Sequence, residues 1–153
     1  MSVTMTKAEL VAFMRRAEFW VEATTHADGA PQAAVIGVAV SDDLELVFDT
    51  LGATRKAANL DRDPRMALVM WAKSDSGGQA TVQVEGPADE PTGAALAAIK
   101  RVYFARFTDG PTREAWDGIR YVRVRPRWLR YTDFGPTGVT TVELDHDALA
   151  RLV

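Results

Sequence analysis

The sequence predicts a mainly β fold: an α+β arrangement of antiparallel strands, barrel or sandwich, with a few added helices. Three observations carry this expectation. Apolar or alternating runs of strand length recur six or seven times, and short turn-rich segments join the first of them. Helical patterns are few and irregularly spaced, which does not match the regular strand–helix alternation of a parallel sheet.

The elements follow in order. Thr6-Lys7-Ala8-Glu9 is a T-x-x-E capping box, and Leu10, Phe13, Met14 and Ala17 follow at helical spacing. A strand from Glu18 to Thr25 runs into Ala27-Asp28-Gly29, where Asp-Gly signals a hairpin. Pro31 opens Gln32 to Val40, an apolar run that reads as a strand buried on both faces. Ser41-Asp42-Asp43 is a turn, and Leu44 to Thr50 alternates as a strand. Thr54 is an N-cap for a helix to about Asp61, which Pro64 stops. Arg65 to Ala72 reads as a second buried strand, and Ser74 to Gly78 as a flexible loop. From Gln79 to Glu85 alternation puts Ala80, Val82 and Val84 on one face, until Gly86-Pro87 ends or bends the strand. Pro91 suits the first turn of a helix carrying Leu96, Ile99 and Tyr103 on one stripe. A loop at Asp109-Gly110-Pro111 precedes a long strand from Ile119 to Thr132, with Pro126 as its natural break point, and Val139 to Leu144 adds a last short strand.

Composition narrows the function. The 153 residues suit one domain, 1–153, and 47% hydrophobic with 25% charged residues excludes a disordered chain. No cysteine is present, so disulfides, thiolate metal sites and thiol catalysis are excluded. A net charge of −3 argues against generic nucleic-acid binding, and no run approaches a membrane span. Met1 to Lys7 shows no basic region leading into an apolar run, so no signal peptide is expected and the cytoplasm is the expected compartment.

The most informative segment is Asp49 to Lys56. Arg55 and Lys56 fall in the first turn of a helix, where the dipole disfavours cations by about 0.3–1 kcal/mol each. A phosphate would reverse that, taking the free amides of the helix start and the hydroxyls of Thr50 and Thr54, with Gly52 allowing close backbone approach. The plainer reading is a solvated first turn with Thr54 as a simple cap.

Four pieces in this order and spacing resemble the pyridoxamine 5'-phosphate oxidase-like family: Asp28-Gly29-x-Pro31, Val47-Phe48-Asp49-Thr50, Thr54-Arg55-Lys56-x-x-Asn59-Leu60, and Asp63-Pro64-Arg65-Met66-Ala67-Leu68. Val84-Glu85-Gly86 and Trp128-Leu129-Arg130-Tyr131 add to the likeness. The resemblance implies an antiparallel six-stranded split β-barrel with peripheral helices. It also implies a homodimer that holds FMN between subunits, and flavin-dependent oxidation or reduction of a small-molecule substrate. By position, Thr50, Thr54, Arg55 and Lys56 would grip the flavin phosphate, and the backbone of Val35, Ile36 and Gly37 would run along the isoalloxazine ring. A ring-contacting glutamine of the family falls at Thr81 here, with Gln79 two residues earlier on the same face.

Two departures separate the chain from pyridoxamine 5'-phosphate oxidase itself. Ala33-Ala34 stands where that enzyme has an arginine, and the end reads Leu144-Asp145-His146-Asp147 instead of closing with an arginine–histidine pair. Turnover of pyridoxine 5'-phosphate is therefore not expected. Related readings are a deazaflavin-dependent reductase or a non-enzymatic carrier or sensor of flavin or haem. His26 and His146 read as surface residues, Asp42-Asp43 and Asp61/Asp63 as turn and helix-end residues, and the four tryptophans as core or interface. The arginines from Arg120 to Arg130 read as a solvated edge or a salt-bridged dimer surface, or as one arginine reaching a partner's cofactor or an acidic substrate.

Overall fold

A computed structural model describes residues 4–153; the first three residues of Met1–Lys7, on which the signal-peptide expectation rests, lie outside them. The capping box forms: the Thr6 hydroxyl accepts from the Glu9 amide at 3.2 Å, and the Glu9 carboxylate accepts from the Thr6 amide at 2.8 Å. It starts α1 (Lys7–Met14), which buries Leu10, Val11, Phe13 and Met14.

Nine antiparallel strands then form one curled sheet: β1 (Phe19–Thr25), β2 (Pro31–Gly37), β3 (Ala39–Val40), β4 (Leu46–Leu51), β5 (Arg65–Lys73), β6 (Gln79–Asp89), β7 (Ile119–Val124), β8 (Trp128–Gly135) and β9 (Gly138–Leu144). Their order is β2-β1-β5-β6-β7-β4-β3, and β8 pairs with β6 and β9. β6 links the two halves: its first part pairs with β5 and β8, and Ala88 and Asp89 pair with β7. It bends at Gly86, where a Cβ would stand 2.2 Å from the Arg125 carbonyl oxygen, so only glycine permits that approach. Inside the curl, Trp20, Phe48, Met70, Val82, Val124 and Leu129 pack with α1 into the main core. The result is the expected mainly β split barrel.

Several sequence expectations change. The strand read from Gln32 to Val40 divides into β2 and β3 after Gly37, where a Cβ would meet the Phe107 ring at 2.7 Å. It is not buried on both faces: Ala33, Ala34 and Val35 are exposed, because β2 lies at the sheet edge and, among the described residues, pairs with β1 alone. β5 likewise buries only alternate residues, and Trp71 is exposed. The long late strand breaks at Pro126 into β7 and β8, as a residue without an amide donor requires. These divisions, with β9, bring the count from six to nine. Pro91 precedes α3 (Gly93–Arg106) instead of opening its first turn, because Thr92 takes the N-cap position. Gly86-Pro87 bends β6 without ending it.

The two halves of the sheet are covered unequally. α3 lays Ile99 and Tyr103, with Phe107 beyond its end, over Ala39, Val47 and Tyr121 of β3, β4 and β7. Among the described residues no such helix lies on the outer face of β2, β1 and β5, and Phe19, Val35 and Trp71 are all more than half exposed there.

α2 (Arg55–Arg62) sits against the end of β1 at Thr24 and Thr25. Asn59, buried to 2% exposure, donates through Nδ2 to Thr24 Oγ1 at 3.0 Å and to Gln32 Oε1 at 2.9 Å. Arg62 donates to the Thr25 carbonyl. Replacing Asn59 strands two acceptors, each worth about 1–3 kcal/mol when buried without a partner. Asn59→Ala should therefore lower the unfolding free energy by about 2 kcal/mol in urea titrations followed by circular dichroism; an unchanged midpoint would show that the clamp is dispensable.

Candidate functional site

The site grows from the start of α2. Thr54 caps the helix with extended backbone angles, and its Oγ1 accepts from the Ala57 amide at 3.3 Å. The Thr54 hydroxyl donates to the Leu51 carbonyl at 2.9 Å, so in its 3.1 Å contact with Thr50 the donor is Thr50. Both hydroxyl protons are thus committed within the chain. The amides of Arg55 and Lys56, at the first two helical positions, have no intrahelical acceptor.

Arg55 and Lys56 open onto a cavity of about 120 Å³ whose other walls are Glu22, Thr24, Gln32, Ala33 and Ala34. Lys56 and Asn59 share a helix face at i, i+3, so the bond that anchors Asn59 to β1 and β2 also aims the lysine. The first turn carries no acidic residue, and among the described residues neither Arg55 nor Lys56 makes an ion pair. Two cations and two free amides therefore converge beside an edge strand, in the form of an anion site.

β2 offers its own edge. Ala30 and Val38 bond to His26 and Glu18 across the hairpin, so ladder alternation turns Gln32, Ala34 and Ile36 toward β1. The amides and carbonyls of Ala33, Val35 and Gly37 then face the open side. Of the three predicted ring-side residues, Val35 and Gly37 thus present backbone there. Ile36 instead places its side chain in the core.

A wider cleft of about 660 Å³ adjoins across Thr24, with Ala23 and Ala67 along it and Arg65, Glu85, Arg127 and Trp128 around it. Its size falls within the usual range for cofactor sites. Gln79 and Thr81 lie on the outer face of β6, opposite Lys73 and Trp71 of β5. Val35 lies level with Val21, Val69 and then Gln83 through the register of β2, β1, β5 and β6. Three strand spacings separate Val35 from Gln83, about 14 Å. Counting back from Gly86 singles out Thr81 and passes over Gln83, although the alternation of β6 places it on the same face.

Glu22 was not singled out by any motif. It is 2% exposed and among the described residues its Oε2 has no hydrogen-bond partner, yet it lines the cavity that holds the two cations. Burial pushes its carboxyl above the usual range, and Lys56 partly opposes that. The available signal was an acid at the inward period of β1, between Trp20 and Thr24.

The other candidates resolve within the chain. Arg123 pairs with Asp89 at 2.7 Å and Glu45 at 3.4 Å, Arg120 with Asp61 and Glu90, and Arg130 with Glu143. The arginine run is thus largely an intramolecular salt-bridged surface. Ser74 and Ser76 both donate to Asp133 and tie the loop after β5 to β8. His26 occupies an exposed turn beside Asp28, and His146 opens the short helix α4 (His146–Ala150). Trp20 is core, whereas Trp71 and Trp116 are exposed. Among the described residues no cluster of histidine and acidic side chains suits a metal, and no helix is long and apolar enough to cross a membrane.

The family model of pyridoxamine 5'-phosphate oxidase matches residues 6–133. The chain belongs to that family. No curated protein matches it. Among solved structures, a heme binding protein from Mycobacterium smegmatis superposes with a TM-score of 0.80 at 20% identity, over 97% of this chain and 61% of that one. A pyridoxamine 5'-phosphate oxidase-related, FMN binding protein from Nostoc punctiforme gives 0.69 at 10% identity, over 94% and 92%. The heme storage protein HutZ from Vibrio cholerae gives 0.67 at 13% identity, over 95% and 99%. These likenesses establish the shared barrel. These three proteins share that frame while their names give different ligands, so the frame does not fix the ligand and the residues of the α2 cavity do.

The raised pKa of Glu22 has a consequence for stability. A carboxyl raised in the fold contributes fully below its unfolded value, and that contribution is lost as pH rises through the folded value. Glu22→Gln should therefore match the wild type at low pH, where the carboxyl is neutral, and become the more stable of the two as pH rises and the wild type must bury a charge. Urea unfolding of the ligand-free protein at low and high pH measures this, and a gap that does not widen with pH would refute it.

Proposed function

We propose that the chain is a homodimeric FMN-dependent oxidoreductase acting on a small molecule other than pyridoxine 5'-phosphate. The observation that carries the reading is the Arg55–Lys56 pair, free of ion pairs among the described residues, at a helix start beside the open edge of β2. The phosphate belongs with Arg55, Lys56 and their two free amides. Thr50 and Thr54 support that turn, since their protons are already donated within the chain. The ring lies along the open backbone of Ala33, Val35 and Gly37. Bound flavin supplies the transfer of electrons, while the chain binds, orients and shields it.

The assembly follows from the same geometry. A ring along β2 is too far from Gln79 and Thr81 of its own protomer to take polar contacts from them, and the apolar outer face around Phe19, Val35 and Trp71 needs a cover. A second copy supplies both in one closed twofold arrangement. The proposed compartment is the cytoplasm.

The heme binding and heme storage proteins among the neighbours favour a second reading, a haem carrier. The visible spectrum of the purified protein separates the two: flavin bands support the first reading, a Soret band the second.

Charge-assisted hydrogen bonds contribute about 1.5–3 kcal/mol. Lys56→Ala should thus weaken FMN binding about tenfold or more while leaving riboflavin affinity nearly unchanged. Equal losses for both ligands in calorimetric titrations would refute the phosphate assignment.

The assembly has its own test. FMN bound between subunits stabilises the dimer by mass action, about 2.7 kcal/mol per site at a hundredfold excess over Kd. Sedimentation should show a dimer whose dissociation on dilution is suppressed by FMN, and a monomer with FMN bound would rule the interface site out.

A further inference from the structure

We infer that Glu22 couples occupancy of the α2 cavity to proton uptake: as a phosphate enters beside Arg55 and Lys56, the Glu22 carboxyl takes on a proton and donates a hydrogen bond to it. The inference rests on the FMN reading and names the residue that sets the pH range over which that site fills.

The charged walls of the cavity are Arg55 and Lys56 from α2 and Glu22 from β1. The remaining walls, Thr24 of β1 and Gln32, Ala33 and Ala34 of β2, are uncharged. Across the sheet Glu22 lies opposite Ala34 on β2 and Leu68 on β5, so neither neighbouring strand brings a counter-charge level with it. Asn59 of α2, the other polar group nearby, gives its amide hydrogens to Thr24 and Gln32. Among the described residues Oε2 of Glu22 is left without a partner, in a site where buried polar atoms are otherwise bonded.

Charge decides the protonation state. An ionised Glu22 balances one of the two cations, which leaves one positive charge for a ligand carrying two negative ones. A protonated Glu22 leaves both cations to the dianion and turns the lone oxygen into a donor. Like charges confined to one small site disfavour joint ionisation, as for two carboxylates sharing a pocket. The proton comes from solvent and stays on the carboxyl while the phosphate is bound. Empty, the site falls back on the Glu22–Lys56 attraction.

The test uses the full chain, with FMN and riboflavin as probes. Affinities are measured from pH 6.5 to 8.5 for the wild type and for Glu22→Gln, an isosteric neutral variant. Calorimetry in buffers of different ionisation enthalpy counts the protons taken up. The second ionisation of the FMN phosphate, near pH 6, affects both proteins alike, so the difference between them isolates Glu22. The wild type should lose FMN affinity relative to Glu22→Gln as pH rises, approaching about tenfold per pH unit where a full proton is taken up. It should also take up more protons per FMN than the variant.

Superimposable pH profiles and equal proton counts overturn the role of Glu22 while leaving FMN binding in place. FMN bound no more tightly than riboflavin by the wild type at every pH removes the phosphate reading, and the inference with it. Should Glu22→Gln fail to fold, the wild-type buffer series still decides. Uptake with FMN and none with riboflavin supports the coupling, and no uptake with either refutes it.

Discussion

The site depends on one side chain, Asn59, and on two acceptors it reaches across the sheet edge. α2 has few apolar contacts of its own; Ala57 is buried and Leu60 partly so. Its position is set by hydrogen bonds from Asn59 to Thr24 and Gln32, by Arg62 on the Thr25 carbonyl, and by Asp61 held to Arg120 of β7. A helix anchored through polar contacts has a defined angle, because hydrogen bonds are directional where apolar packing is not. That angle brings the free amides and both cations of the first turn to the mouth beside β2.

The barrel is finished on one side only. Over β3, β4 and β7, α3 provides a lid, pinned by Arg113 bridging Asp49 at 2.8 Å and Asp109 at 2.7 Å and donating to the Tyr103 hydroxyl at 3.2 Å. Over β2, β1 and β5 the surface alternates small and large apolar residues, with Ala33, Ala23 and Ala67 in one row and Val35, Val21 and Val69 in the next. Such a surface combines an open strand edge with exposed apolar area, a combination that solvent-facing sheets ordinarily avoid. The alanine row also leaves room for the wide cleft, which larger side chains would fill.

Within the site, opposing charges share a small space. Cations at a helix start and a buried carboxyl each cost stability in isolation, and their proximity offsets part of both. A surface optimised for stability alone would keep neither. Their presence together at a cavity bordered by an open strand edge is what gives this corner of the barrel its chemical character.

Local features of the sequence determined a great deal. Thr54 and Pro64 bounded α2, the capping box started α1, Asp28-Gly29 made the hairpin, and the alternation of β6 separated its core face from its outer face. Each is a matter of backbone geometry or of a period within a few residues, and needs no knowledge of the rest of the chain. The Arg55–Lys56 pair was legible for the same reason, as a local conflict with the helix dipole. The burial of β2, the place of Glu22 and the reach between Val35 and the polar face of β6 were decided by tertiary structure alone. An apolar run records a preference to leave water without recording what will cover it, and here β2 became an edge strand that no helix among the described residues covers. Glu22 looked like any strand acid until the curl of the sheet turned it inward beneath α2. Burial and distance depend on contacts between residues remote in sequence, and those exist only once the sheet has closed.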